Sequence, residues 1–175
     1  GNGASMGLNV IYAYQKGEGG IAEALGLAEH FAGGGKIVVI LGDNIVQRSI
    51  APQVRAFERQ AEGARILIKR VPDPERFGVV VFRGKKVLAI EEKPRRPKSD
   101  CVVTGVYMYD AQVFDIIRTL KPSGRGELEI TDVNNAYIRR GEMSCGVLRG
   151  WWSDCGTFDS LLRASRLVAK KGRGR

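Results

Sequence analysis

The chain has 175 residues, of which 43% are hydrophobic, so it is long enough for one domain with a buried core and too short for two large domains. Its 28 Lys and Arg residues against 19 Asp and Glu residues give a net charge of +9, which fits a protein of nucleic acids, of membrane surfaces or of anionic metabolites. Its three cysteines lack C-x-x-C spacing, which argues against a disulfide framework or a zinc site and favours reduced thiols in the cytoplasm.

Neither a membrane nor a nucleic acid is the predicted partner. No stretch approaches the roughly 18 uninterrupted apolar residues of a membrane span, and residues 1–5 lack a charged-then-apolar signal pattern. The basic residues are dispersed, without interleaved aromatic residues and without a recognition helix or stacking sheet. We therefore expect a soluble, cytoplasmic protein, with a homo-oligomer left open.

Apolar periodicity in the first half of the chain alternates between strands and helices. It predicts a strand over 8–14, a helix over 21–31, a strand over 36–41, a helix capped by Ser49 and a strand over 64–70. This order of strand, helix, strand, helix, strand predicts a parallel sheet with helices on its faces.

From residue 78 the pattern changes to that of an inserted antiparallel hairpin. Predicted strands at 79–82 and 86–91 flank a short turn at 83–85. The elements predicted after it are a strand at 101–109, a helix capped by Asp110, a helix over 131–140 that ends at Gly141, a strand at 143–148 and a helix over 157–169. One domain is predicted over 1–169, followed by a basic, solvated tail at 170–175.

Two aspartates stand where an open α/β sheet places ligands. Asp43 follows the apolar strand at 36–41, and Asp154 stands between a strand-like segment and the start of a helix. Ligands of such sheets bind at the carboxyl ends of the strands, so the two carboxylates are predicted to meet across one crevice. Paired carboxylates favour a hard divalent cation, although Asp43 read alone also fits the cap of a turn.

Seven short motifs occur in an order that is typical of one enzyme family. They are Gln15 with Gly20, then LGDN (41–44), DPERFG (73–78), EEKP (91–94), VTG (103–105), RGELEITD (125–132) and WSD (152–154). Each is weak evidence alone, and their shared order makes them strong together. On these residues, and as far as about residue 169, the chain resembles the sugar-1-phosphate nucleotidyltransferases, and within them the glucose-1-phosphate thymidylyltransferases.

The resemblance implies an α/β, Rossmann-like three-layer sandwich with a mostly parallel sheet and an inserted antiparallel hairpin. It implies transfer of a nucleotidyl group from a pyrimidine nucleoside triphosphate, dTTP by this resemblance, to glucose 1-phosphate, with release of pyrophosphate. The attacking oxygen belongs to the sugar phosphate, so the protein positions and neutralises anions and needs no covalent nucleophile. By resemblance Asp43 and Asp154 would hold Mg²⁺ as catalytic residues.

The same resemblance assigns the other site residues. Lys93 would donate to the sugar phosphate and Glu92 would accept from sugar hydroxyls. Gln15 and Gly20 would face the nucleobase, and Arg125 would be a catalytic basic residue near the sugar phosphate. The further substrate-binding positions are Gly78, Val103, Gly105 and Trp152. Read without the resemblance, the glycines fit strand bends, the Glu92–Lys93 pair a solvated strand end and Arg125 an ordinary surface residue.

The family's opening strand and glycine-rich triphosphate loop have no counterpart in this sequence. The chain is therefore predicted to be an N-terminally truncated domain that lacks its first strands and helices. Two alternatives to the thymidylyltransferase stay open at this point. One is a uridylyltransferase or another sugar-1-phosphate nucleotidyltransferase, and the other is a non-catalytic fragment that binds nucleotide sugars.

Overall fold

The computed structural model describes residues 1–84 and 86–172. Six α-helices and eight β-strands are formed there, together with short 3-10 helices at Ala4–Met6 and Pro74–Arg76. The helices are α1 (Ile21–Gly26), α2 (Glu29–Ala32), α3 (Ala51–Glu58), α4 (Gln112–Thr119), α5 (Ile130–Arg140) and α6 (Phe158–Gly172). The strands are β1 (Ile37–Ile40), β2 (Asn44–Val46), β3 (Ala64–Arg70), β4 (Gly78–Arg83), β5 (Lys86–Glu92), β6 (Cys101–Tyr109), β7 (Met143–Val147) and β8 (Trp152–Asp154).

Strand β6 is the centre of the main sheet, and all of its residues are buried. One edge of β6 pairs with β3 over most of its length. The other edge is shared, because β4 pairs with it at Val102 and β1 pairs with it from Val106 to Tyr109. The strands β1 and β4 therefore separate beside residues 103–105, and this opening positions the site described below.

The sheet differs from the expectation of mostly parallel pairing. Strands β1, β3 and β4 are each antiparallel to β6, and within the described part of the chain the parallel ladder is β3 with β7. Four strands, β1, β3, β4 and β7, still point in one direction. The ladders are antiparallel because β6 leaves the hairpin in the opposite direction and inserts between strands that would otherwise be neighbours.

The inserted hairpin is confirmed. Strands β4 and β5 pair antiparallel from Gly78 opposite Glu92 to Arg83 opposite Lys86, with a register shift at Val81. Lys85, in the predicted turn, lies outside the described residues. The hairpin ends with Gly78 and Glu92 side by side, so two of the predicted site residues are brought together by strand register.

Two predicted elements of the first half are wrong. Residues 8–14 form no strand, and Tyr12 and Tyr14 are exposed, since this segment has no neighbouring strand with which to pair. The helix predicted over 21–31 is divided into α1 and α2 because Gly26 and the residues after it do not continue the α1 hydrogen bonding.

Side chains on the two faces of the sheet form two separate cores, as expected for three layers. Ile66, Ile68 and Tyr107 belong to the core that α1, α4 and α5 cover. Leu67 and Val106 point to the opposite face, where Phe57 of α3 covers the second core. This alternation follows from the two-residue period of a strand. Of the described helices, none is long and apolar enough to cross a membrane.

The second half of the chain follows the prediction closely. Asp110 caps α4 by accepting the N–H of Gln112 at 3.1 Å. Gly141, in the left-handed region with φ of 76°, ends α5. Helix α6 extends beyond the predicted end at residue 169, and residues 173–175 of the predicted basic tail lie outside the described part of the chain.

Candidate active site

A cavity of about 510 Å³ lies in the opening between β1 and β4, beside residues 103–105 of β6. Eight of the predicted site residues line it: Asp43, Gly78, Glu92, Lys93, Val103, Gly105, Trp152 and Asp154. Gln15 and Gly20 line a smaller cavity of about 360 Å³ that shares Ile21 and Leu41 with the first. Arg125 lies outside both walls. Residues from distant parts of the sequence thus meet in one crevice.

A small two-stranded sheet brings the two aspartates together. Strands β2 and β8 pair antiparallel, with Asn44 opposite Asp154, so Asp43 stands next to the end of this ladder. Asp43 is exposed, whereas Asp154 is only 8% exposed. The pairing explains how two carboxylates so far apart in the sequence face the same cavity.

Gly156 leaves an open space between the two carboxylates. A Cβ built at Gly156 would lie 3.4 Å from Oδ2 of Asp43 and 3.7 Å from Oδ2 of Asp154. Two oxygen donors around such a space fit a hard divalent cation, which takes its remaining ligands from water and substrate phosphates. Among residues 1–84 and 86–172, no cluster of three or more His, Cys, Asp or Glu side chains is placed to hold a metal ion. A cation here would therefore fill its other positions with water and, when substrate is bound, with phosphate oxygens.

Two guanidinium groups hold the carboxylate of Asp154. Arg76 donates through Nη2 to Oδ2 at 2.9 Å, and Arg163 donates through Nη2 to Oδ1 at 3.3 Å. Arg76 also donates to Asp73 at 2.8 Å, and this hydrogen bond is the main cause that raises the pKa of Arg76. These contacts fix the orientation of Asp154 and keep its charge compensated.

Asn44 connects three elements around the cavity. Its Oδ1 accepts the backbone N–H of Gly105 at 2.9 Å and the indole N–H of Trp152 at 2.7 Å. Its Nδ2 donates to Oδ1 of Asp43 at 2.7 Å. One side chain therefore links β6, β8 and the aspartate that follows β1.

Loss of the Asn44 side chain is expected to destabilise the protein. Asn44→Ala leaves two partly buried donors without their acceptor, which costs about 2–3 kcal/mol in the free energy of unfolding. Asn44→Asp keeps an acceptor oxygen for both donors and is expected to lose less, although it replaces the donor to Asp43 with a second charge. Urea unfolding of the two variants measures the difference, and equal stability of Asn44→Ala and the parent would contradict this role.

Glu92 is oriented by the first turn of α5. Thr131 donates from Oγ1 to Oε2 of Glu92 at 2.6 Å, while Arg125 lies 3.8 Å from the other oxygen, Oε1. Arg125 itself forms a close ion pair with Glu129 at 2.9 Å, and its hydrogen bonds to Glu129 are the main cause that raises its pKa. The structure thus places Arg125 near Glu92 but pairs it with a neighbouring carboxylate.

Lys93 has a strained backbone. Among the described residues other than glycine, Lys93 alone has a positive φ, of 41°. Its N–H donates to the carbonyl of Phe77 at 3.0 Å, so the hairpin ladder holds it in this conformation. L-residues avoid the left-handed region, and strain of this kind is concentrated at functional sites.

The predicted site glycines Gly20 and Gly105 are required for different structural reasons. Gly20 has φ of 91°, and a Cβ there would lie 2.6 Å from the carbonyl oxygen of Leu128. Gly105 has both backbone groups engaged, since it donates to Asn44 and accepts from Leu41 at 2.9 Å. A Cβ on Gly105 would lie 2.4 Å from Asn44 Nδ2, so close packing explains this glycine.

Gln15 reaches across to the start of α1. Its Nε2 donates to the carbonyl of Gly20 at 3.1 Å and to Glu23 at 2.6 Å. Both amide protons are therefore engaged. Within residues 1–84 and 86–172, no donor occupies Oε1 of Gln15, so this residue of the smaller cavity's wall keeps an acceptor available.

Sequence comparison identifies the family of this chain. The profile of the family described as Nucleotidyl transferase matches residues 1–171. The chain belongs to this family. The glucose-1-phosphate thymidylyltransferase of Neisseria meningitidis is 42% identical over 172 residues, which cover 96% of this chain and 60% of that relative. This nucleotidyl transferase chain thus spans about 60% of the length of the relative it matches.

Solved structures agree with this family assignment. A Bacillus anthracis protein assigned as a glucose-1-phosphate thymidylyltransferase, crystallised with sucrose, has a TM-score of 0.91 and 52% identity, covering 96% of this chain and 68% of that chain. A UDP-glucose pyrophosphorylase complexed with UDP-glucose has a TM-score of 0.84 at 23% identity, covering 94% and 67%, and shows the shared fold alone. The predicted Rossmann-like fold class is confirmed.

Sequence reasoning missed five residues of the site: Asn44, Arg76, Tyr107, Thr131 and Gly156. All five line the cavity, and Thr131 is also the hydrogen-bond partner of Glu92. Burial, followed by the charges of Glu92 and Asp43, raises the pKa of the Tyr107 hydroxyl above its ordinary value, so Tyr107 stays a neutral donor. Their types gave no separate signal, because each also fits a common structural role.

Proposed function

We propose that this nucleotidyl transferase chain forms the core of a glucose-1-phosphate thymidylyltransferase, which joins dTTP and glucose 1-phosphate to give dTDP-glucose and pyrophosphate. The observation that carries the proposal is the single cavity at which the carboxylates Asp43 and Asp154 face Glu92 and Lys93. The named relatives at 42% and 52% identity support the substrate class.

The chain's own residues position anions in this reaction. The phosphate oxygen of the sugar attacks the α-phosphorus, the bond to the β-phosphate oxygen breaks, and pyrophosphate leaves. Asp43 and Asp154 would hold Mg²⁺, which supplies charge neutralisation between the two substrates. Lys93, which lines the same cavity as the aspartates, would donate to the sugar phosphate as a point charge.

The sugar would lie against β6 and the hairpin. Glu92, oriented by Thr131, offers a charged acceptor to sugar hydroxyls, and Tyr107 offers a neutral hydroxyl. Gly78 lacks a Cβ, which would lie 3.4 Å from Oε2 of Glu92. The cavity wall beside Glu92 therefore leaves room for a sugar ring. Because Gly105 has its backbone groups engaged, we assign it a packing role here.

The nucleobase would lie in the smaller cavity beside Gln15. Its Oε1 suits the N3–H of thymine, and a cytosine ring presents an acceptor at that position. Uracil shares the N3–H group, so this contact also fits a uridylyltransferase, the second candidate function. Rates with dTTP and with UTP distinguish the two.

Lys93→Gly is expected to stabilise the fold while weakening the reaction. Glycine relieves the left-handed backbone strain but also makes the unfolded chain more flexible. The net gain in the free energy of unfolding is about 1 kcal/mol. Loss of a charged donor raises the KM for glucose 1-phosphate by roughly 10- to 100-fold. Lys93→Met is the matched control, since it removes the charge and keeps the Cβ. A Lys93→Met variant as stable as Lys93→Gly would contradict the strain argument.

Pyrophosphate release from dTTP, glucose 1-phosphate and Mg²⁺ tests the proposed function on the natural gene product that contains this sequence. Release that is faster with dTTP than with UTP, and that Asp43→Asn lowers, supports it. Binding of dTDP-glucose without pyrophosphate release would instead identify a non-catalytic protein that binds nucleotide sugars. We place the reaction in the cytoplasm, which the three free cysteines support.

A further inference from the structure

Arg76 bridges two carboxylates at the wall of the cavity. It is the last residue of the short 3-10 helix Pro74–Arg76, and its guanidinium donates to Asp73 at 2.8 Å and to Asp154 at 2.9 Å. The same group stacks over the ring of Phe77 at 5.0 Å, and Phe77 packs on Trp152 with ring centroids 5.3 Å apart. The guanidinium is therefore fixed in place beside Asp154.

The oxygen that Arg76 occupies is the one that a cation would need. Arg76 binds Oδ2 of Asp154, and the same Oδ2 lies with Oδ2 of Asp43 around the open space at Gly156. The second guanidinium, from Arg163, binds Oδ1, and Arg163 lies outside the cavity wall. Arg76 and a cation would thus meet at one oxygen, while Arg163 supports the other.

We propose that Arg76 is a resident counter-cation that competes with the divalent cation for Asp154 and thereby sets the cation affinity of the site. With no divalent cation bound, Arg76 compensates the nearly buried charge of Asp154. When the cation binds, Arg76 gives up Oδ2 and keeps its hydrogen bond to Asp73. This inference rests on the metal site of the proposed function and adds a positioning residue that controls it.

The competition has a sign that distinguishes it from a structural support. Removal of Arg76 takes away both a competitor for Oδ2 and a positive charge close to the cation, so cation binding should tighten by about tenfold. If Arg76 only held Asp154 in place, its removal would loosen that carboxylate and weaken binding. The direction of the change therefore decides between the two roles.

Mn²⁺ binding to the natural gene product, without substrates, provides the test, with free Mn²⁺ measured by electron paramagnetic resonance. Arg76→Gln removes the charge, and Arg76→Met is a second variant that retains a long side chain to pack on Phe77. Arg70→Gln is the matched control for net charge, since Arg70 pairs with Asp100 on the surface. Asp43→Asn locates the measured site.

We expect Mn²⁺ to bind about tenfold more tightly to Arg76→Gln and Arg76→Met, while Arg70→Gln behaves as the parent. Arg163→Gln should tighten binding less, because Arg163 occupies the other oxygen. Two results would overturn the role of Arg76 and leave the proposed function standing, provided that Mn²⁺ binding depends on Asp43. In the first, Mn²⁺ binds to the Arg76 variants as tightly as to the parent, or less tightly. In the second, Arg163→Gln tightens Mn²⁺ binding as much as the Arg76 variants do. If Asp43→Asn leaves the Mn²⁺ affinity unchanged, the metal site itself is contradicted, and with it this inference.

Discussion

Asp43→Asn is expected to lower the rate of nucleotidyl transfer by roughly 100- to 1,000-fold and to leave the free energy of unfolding within about 0.5 kcal/mol of the parent. Asp43 is exposed, and its Oδ1 accepts from Asn44 while Oδ2 faces the space at Gly156. Asparagine retains an oxygen for the first contact and removes the charge needed for the second. Activity and stability therefore separate at this position.

Asp154→Asn should lose activity to a similar degree and also lose stability. Asp154 is nearly buried and accepts from Arg76 and Arg163, so its neutral replacement removes the carboxylate that pairs with Arg163 and leaves Arg76 paired with Asp73. Because both arginines are partly exposed, we expect a cost of about 1–2 kcal/mol.

Pyrophosphate release and urea unfolding, measured on both variants, provide the test. Asp100→Asn is the matched control, since Asp100 also forms an ion pair, with Arg70. That pair is far more exposed than Asp154, because 51% of the Asp100 side chain is accessible to solvent. A parental rate in Asp43→Asn and Asp154→Asn alike would show that the two carboxylates are not at the reacting centre, and the proposed function would then have to be abandoned.

The sequence predicts best those elements that are marked by a local run of apolar residues or by a local turn or cap. Strand β6 is buried along its whole length and reads as a mostly apolar run interrupted at Thr104 and Gly105, and the hairpin reads from two apolar segments around a short turn. In both cases the local pattern reflects the final environment. Helix α5 and its end at Gly141 follow for the same reason, since the cap is encoded locally.

The errors concern information that a local window does not contain. Residues 8–14 have the composition of a strand, but a strand needs a partner, and within the described residues none pairs with this segment. The antiparallel direction of β6 relative to β1 and β3 follows from the path of the chain through the hairpin. Periodicity reports neither the partner nor the direction of a strand.

The site shows the same division. The two aspartates were predicted from their places at strand ends, and the family resemblance supplied roles for Glu92 and Lys93. Arg76 and Gly156 were missed because their importance depends on distance: Arg76 becomes significant only once it lies 2.9 Å from Asp154. A glycine after a strand ordinarily indicates a turn, so nothing in the sequence separates Gly156 from other loop glycines.

Gly156→Ala is expected to weaken cation binding by at least about tenfold with almost no change in stability. Its Cβ would lie 3.4 Å from Asp43 Oδ2 and 3.7 Å from Asp154 Oδ2, which are ordinary van der Waals contacts. The backbone of Gly156 is not in the left-handed region, so alanine adds no strain there. The protein should therefore fold normally with a methyl group between its two carboxylates.

The methyl group would affect the cation and not the fold, because Mg²⁺ held by the two carboxylates would need room for waters and phosphate oxygens around it. Displacing those ligands lowers cation affinity and nucleotidyl transfer together. Gly42→Ala is the matched control, since its Cβ would meet nothing within 4 Å and Gly42 lies outside the cavity wall.

Mn²⁺ binding, pyrophosphate release and thermal unfolding of the two alanine variants complete the test. Both variants should unfold at the parental temperature, and only Gly156→Ala should require more Mn²⁺ for half-maximal binding. If Gly156→Ala binds Mn²⁺ as tightly as Gly42→Ala does, the space beside Gly156 is not the cation site. Asp43 and Asp154 would then have to act on the substrates without a shared metal ion, by direct contact, through water or through Arg76.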